Sequence, residues 1–240
     1  MYNIKDVTII IQGDIRPGVN IIKMLNQYNT YGKLIISSYF INNIALKNEI
    51  LENFPNIILI DNDFIALKNN NTDCKTNCFY QMCTVRKALK YVHTKYVIKT
   101  RMDTYFSNLN NFINHSIDNE TKITHINIYT RGFIQILYHP SDILFGGTYI
   151  NINNIFNSCS SKIAPFPEVN IFKNYIISKL IELNVDIHSF ETDINVYSEN
   201  MSKIFDVYNL LNLTPYFFKH MQFNNTQKST RDFYKYGCDN

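Results

Sequence analysis

Four short runs of apolar residues, many of them β-branched, punctuate the first hundred positions, and most of them end in small or polar residues. They are "VTIIIQ" (7–12), "KLIISS" (33–38), "IILI" (57–60) and "YVIKT" (96–100). Continuous apolar runs of this length suit strands buried on both faces, as in a parallel sheet. Between them, residues 18–29 and 42–53 carry helical spacing. The best helix pattern is 76–92, where Cys78, Met82, Val85, Leu89 and Val92 form one apolar stripe. This alternation predicts an α/β fold, a wound, mostly parallel sheet with right-handed crossovers.

After residue 108 the pattern changes. Residues 123–128 and 133–138 read as strands around a turn-like "YTRG", followed by "HPSDILFGGTYI" (139–150), a helix around 168–183 and a polar, aromatic tail. No proline- or glycine-rich linker and no repeat interrupts the chain. The expectation is a single domain over 1–240, with a wound half, 1–108, and a mixed half, 109–240.

Composition narrows the classes. Hydrophobic residues make up 45% and charged ones 18%, which predicts a sizeable core rather than disorder. A net charge of +3 argues against dedicated nucleic-acid binding but leaves room for a local basic pocket. The five cysteines lack metal-site spacing; Cys74 and Cys78 form a lone C-x3-C, and free thiols in a reducing compartment are the plain reading. The N-terminus lacks the basic segment and apolar run of a secretory signal. Nor does any stretch approach the roughly 18–20 apolar residues of a membrane span. A cytoplasmic protein without a transmembrane segment is expected.

Three loops, "QGDI" (12–15), "SSYF" (37–40) and "DNDF" (61–64), follow predicted strands and should meet at one sheet edge. Open α/β sheets bind ligands there. Gln12 and Gly13 suit a close backbone approach to a ligand, although a turn is the plainer reading of "QGD". Neither G-x-G-x-x-G nor a P-loop occurs, so neither a dinucleotide fold nor a P-loop ATPase is supported. The 76–92 helix starts at the same edge, bringing Asn77 and Gln81 near it; a solvated helix flank is the alternative.

In "KTRMD", Asp103 stands just beyond a strand end, with Lys99 and Arg101 at alternating positions before it. Such a carboxylate can hold Mg²⁺ or Mn²⁺ bridging a diphosphate, while cations on one face neutralise the departing group. A structural Arg–Asp pair is the competing reading. "HPSDILFGG" offers a second acid, Asp142, either as a general base for an acceptor hydroxyl or as a turn cap with Ser141. His220, amid the aromatics of "YFFKHMQF" (216–223), is a packed residue or a distant metal or phosphate contact.

In their order along residues 7–176, "IIIQGDI", "NCFYQMCTVRKAL", "KYVIKTRMD", "HPSDILFGG" and "FPEVNIF" resemble the WavE family, glycosyltransferases associated with lipopolysaccharide synthesis. The resemblance implies a GT-A-like fold, a nucleotide-sugar donor (UDP as the nucleotide) and a glycan acceptor. It implies that Gln12, Gly13, Asp14, Ser37, Asp61 and Asn62 line the nucleotide pocket, with Asn77, Gln81, Lys99 and Arg101 nearby. Asp103 becomes the ligand of Mn²⁺ or Mg²⁺, joined by His220 through fold analogy. Asp142 faces the acceptor, alongside Gly146, Gly147 and Glu168.

Two positions depart from the pattern. Arg101 stands where many GT-A enzymes carry the first acid of a D-x-D motif, so a single-carboxylate metal site and a metal-independent site using Arg101 both stay open. Asp14 replaces a proline common in the family. Similar enzymes occur in large DNA viruses, which would place the protein in a host cytoplasm. Two rival functions stand beside this one, a sugar nucleotidyltransferase and a non-catalytic glycan-binding or structural protein. The aromatic C-terminus is read first as core packing and second as a sugar platform or a homodimer contact.

Overall fold

The computed structural model describes residues 2–15, 20–40, 43–62, 77–106, 108–126, 142–158, 167–182 and 184. The four apolar runs become β1 (Val7–Gly13), β2 (Lys33–Ser38), β3 (Ile58–Asp61) and β4 (Tyr96–Arg101). Between them lie α1 (Ile21–Tyr28), α2 (Ile44–Asn53) and α3 (Asn77–Leu89). The chain continues through α4 (Asn110–Asp118), β5 (Thr124–His125), β6 (Phe145–Thr148), α5 (Tyr149–Ser158) and α6 (Pro167–Glu182). The strands form one six-stranded sheet in the order β3-β2-β1-β4-β6-β5. β1 pairs in parallel with β2 and β4, and β2 with β3, whereas β6 runs antiparallel to β4 and β5. The expected α/β class, a mostly parallel sheet, is what forms.

The runs are continuous because helices cover both faces of the sheet. Ile9, Ile11, Leu34, Ile36 and Ile98 pack with Met24, Leu25 and Tyr28 of α1, Ile50 of α2, and Phe112 and Ile113 of α4. Ile10, Ile35, Val97 and Phe145 pack with Met82, Val85 and Leu89 of α3, Ile152 and Phe156 of α5, and Phe172 of α6. Each buried aliphatic side chain contributes about 1.5–3 kcal/mol, so neither face can carry a polar alternation. The chain moves outward from β1 to β3, then returns past β1 to β4. Right-handed crossovers make that reversal switch the helix to the other face, and this sets α3 opposite α1 and α2.

The second half departs more from expectation. Of the strand expected at 123–128, β5 is the regular part among the described residues 123–126; 127, 128 and the 133–138 strand lie outside them. The predicted pattern omitted α4, α5 and β6. Two glycines disguise β6, and packing explains them. A Cβ on Gly146 would sit 2.5 Å from Ile98 Cδ1, 2.9 Å from Ser116 Oγ and 3.1 Å from Phe112 Cε1. On Gly147 it would meet Ile123 Cδ1 and Lys122 O at 3.2 Å. Glycine thus lets neighbouring chain approach β6 closely. Among the described residues no helix is long and apolar enough to cross a membrane.

Candidate functional site

β1 lies between β2 and β4, and the chain leaves it on one side and returns on the other. The crevice outside the carboxyl ends of β1 and β4 is therefore the topological switch point, where ligands enter open α/β sheets. Gln12 and Arg101 are register partners there, and the Met102 N–H extends the pairing by donating to Gln12 O at 2.8 Å. Gly13 ends β1 at φ +108°, a conformation that side chains resist. A Cβ there would meet nothing within 4 Å, so the backbone rather than crowding requires glycine. Ser38 Oγ fixes the turn by donating to Gly13 O at 2.6 Å. Asp14 follows, exposed.

The chemistry concentrates after β4. Arg101 donates through Nε to Asp103 Oδ1 and through Nη2 to Asp103 Oδ2, both at 2.7 Å, a two-pronged pair. Its third nitrogen, Nη1, stands 3.7 Å from Asp142 Oδ2, an ion pair too long for a hydrogen bond. Thr104 Oγ1 also donates to Asp103 at 3.3 Å. Both aspartate side chains are nearly buried, at 4% and 7% exposure, whereas the Arg101 side chain keeps 17%. The cation is thus the most accessible member of the triplet. Lys99 points to the same face but is fully buried, donating to the Asp142 carbonyl and lying 5.2 Å from the Phe145 ring centre. It sits beneath the site, a correction to the expectation that it meets a diphosphate directly.

A buried polar network joins the neighbouring strand ends to α3. Ser37 Oγ donates to Thr84 O at 2.8 Å and accepts from Asn62 Nδ2 at 3.0 Å. Asn62 Nδ2 also faces Ser38 O at 3.1 Å and Ile60 O at 3.3 Å, which fixes the amide orientation. Thr84 Oγ1 donates to Gln12 Oε1 at 3.3 Å. Asn62 Oδ1 and Gln81 Nε2 are buried without a hydrogen-bond partner. Tyr39 packs edge-on against Tyr80 at 6.2 Å. Burial, then the charges of Cys83, Tyr80 and Asp14, pushes its phenol well above the usual range. The sequence pattern singled out neither Thr84 nor Tyr39.

Other expected residues fall elsewhere. Asp61 turns toward α2, where Lys47 Nζ pairs with Oδ2 at 2.7 Å and the Phe40 N–H donates to Oδ1 at 3.1 Å. Burial raises its pKa, but the bond from Lys47, the Phe40 N–H and the Lys47 charge together hold it below the usual carboxylate range. Gly146 and Gly147 lie buried within the sheet against their neighbours. Asn77 opens α3 and Glu168 lies in the first turn of α6; both side chains, and all of His220, lie outside the described residues.

Among the described residues the donor set does not suit the expected divalent cation. Both oxygens of Asp103 face the Arg101 fork, and among the described residues no three His, Cys, Asp or Glu side chains converge. A hard dication needs a shell of oxygen ligands, and a guanidinium already paired with its carboxylate competes for that ligand. Arg101 itself supplies positive charge at this edge.

No family model matches the chain, and no curated protein matches it in sequence. Solved structures similar to it include 4-diphosphocytidyl-2C-methyl-D-erythritol synthase from Anaerococcus prevotii, 12% identical over 77% of this chain and 86% of that one, with a TM-score of 0.43. TarS of S. aureus, residues 1–349, is 12% identical over 72% of this chain and 55% of that one, TM-score 0.43. The glycosyltransferase GlyE of Streptococcus pneumoniae is 14% identical over 88% of this chain and 46% of that one, TM-score 0.41. At these identities and TM-scores neither a family nor an activity passes from those proteins to this chain.

Proposed function

We propose that this chain is a glycosyltransferase that moves a sugar from a nucleoside diphosphate donor to a glycan hydroxyl. The observation that carries the reading is Arg101 at the switch point, with Asp103 on its fork and Asp142 beside its third nitrogen. A phosphate offers the fork a pair of oxygens much as a carboxylate does. The guanidinium can therefore pass from Asp103 to a diphosphate without losing its hydrogen bonds. Asp142 then takes the proton of the acceptor hydroxyl as that oxygen bonds to the sugar carbon. The bond from sugar to diphosphate breaks, and Arg101 meets the charge that develops on the leaving group.

The buried Asn62 Oδ1 and Gln81 Nε2 support a polar ligand at this edge. Each unsatisfied group costs about 1–3 kcal/mol until something pairs with it. The WavE resemblance, a GT-A-like placement of the donor, and UDP as its nucleotide belong to the same proposal. The test is release of nucleoside diphosphate from a panel of nucleotide-sugars with a glycan acceptor. Asp142→Asn should lower kcat by about 100-fold or more while leaving the donor KM nearly unchanged. Unchanged kcat removes Asp142 as base, and no turnover with any donor refutes the enzyme in favour of a non-catalytic glycan binder.

A further inference from the structure

Lys99 lies on β4, between the parallel β1 and the antiparallel β6, with 0% exposure. An ammonium taken out of water is destabilising unless it is held, and among the described residues the Asp142 carbonyl and the Phe145 ring hold this one. Its Nζ donates to the main-chain carbonyl of Asp142 and sits 5.2 Å from the centre of the Phe145 ring, within cation–π range. The β4–β6 ladder aligns Tyr96 with Thr148 and ends at Lys99 opposite Phe145. Asp142 lies three residues before Phe145, past the end of that ladder. The long lysine stem reaches diagonally across that gap. Two residues further along the same face of β4, Arg101 approaches the Asp142 carboxylate at 3.7 Å. One side chain of β4 thus grips the main chain of Asp142 while the next faces its carboxylate.

We infer that Lys99 is a positioning residue for Asp142. Its ammonium fixes the segment entering β6 so that the carboxylate stands beside Arg101 without a hydrogen bond from it, its oxygens left to accept a proton. The inference rests on the transferase reading above. Lys99 has no exposed surface and so touches neither donor nor acceptor.

Lys99→Met keeps the length of the stem and removes the donor and the charge. Misplacing a general base by about 1 Å lowers turnover by about 100-fold, so kcat should fall on that order while nucleoside diphosphate affinity by calorimetry stays unchanged. A crystal structure of the variant should find the Asp142 carboxylate displaced from Arg101. Unchanged kcat, or kcat and nucleotide affinity falling together, overturns the inference. If the wild-type chain turns over no donor, the transferase reading fails by itself and the structure of the variant decides: Asp142 displaced supports the clamp, Asp142 in place overturns it. Should Lys99→Met not fold, Lys99→Gln, neutral and one bond shorter, is read by the same measures.

Discussion

His125 should make this protein lose stability in mild acid. It lies in β5 at the sheet edge, 2% exposed, with Nδ1 3.0 Å from Ile126 O, an arrangement that keeps the proton of a neutral ring on Nδ1. Burial pushes its pKa down from the ordinary 6.5 to about 3, against the opposing pull of that carbonyl. Between those values the unfolded chain takes up a proton that the folded chain refuses, so stability falls as pH falls. The slope approaches about 1.4 kcal/mol per pH unit, giving a loss of about 2 kcal/mol between pH 7 and pH 5. Asp61 and Glu120, whose pKa values are lowered, lose their contributions only below the ordinary carboxylate range, outside this window. Urea unfolding at pH 7, 6 and 5 measures the slope. His125→Gln, less stable at pH 7 for want of the native ring, should be flatter by about that 2 kcal/mol. The same slope in both proteins would refute the reasoning.

Two further outcomes follow from packing and pairing. Gly146→Ala should lower stability by about 1–3 kcal/mol, read as a drop in Tm, because the added methyl overlaps Ile98, Ser116 and Phe112. Asp61→Asn should cost less than about 1 kcal/mol, since the pair with Lys47 is about one-third exposed, and should leave nucleotide affinity unchanged. The contribution of Asp61 is present at neutral pH and lost as pH falls through its lowered pKa; a large loss of nucleotide binding would return it to the pocket.

The wound half was legible because β1, β2 and β4 are buried on both faces, and continuous runs such as "VTIIIQ" leave little ambiguity. The stripe Met82, Val85 and Leu89 faces the sheet as its spacing requires. β6 was not legible: "FGGT" opposes strand propensity, and only the approach of Phe112 and Ser116 explains its glycines. α4 hid in an asparagine-rich stretch with few apolar positions. At the site, the alternating spacing left open whether Lys99 and Arg101 share a face; both approach Asp142. Spacing alone could not say that Lys99 would turn under β6 while Arg101 stayed accessible, because that depends on a segment some forty residues away. The partner of Asp61, Lys47, lies on another element for the same reason. Thr84 went unassigned because a threonine beside an apolar stripe reads as filler until the strand ends beneath it are placed.

The central claim is that Arg101 receives a nucleoside diphosphate. Calorimetric titration of nucleoside diphosphates into the wild-type chain and Arg101→Lys, with and without Mn²⁺, tests it directly. The account predicts binding of one nucleotide without added metal, weakened about tenfold or more in Arg101→Lys, which keeps the charge but loses the fork. Binding that needs Mn²⁺, binding undiminished in Arg101→Lys, or no binding at all would contradict it.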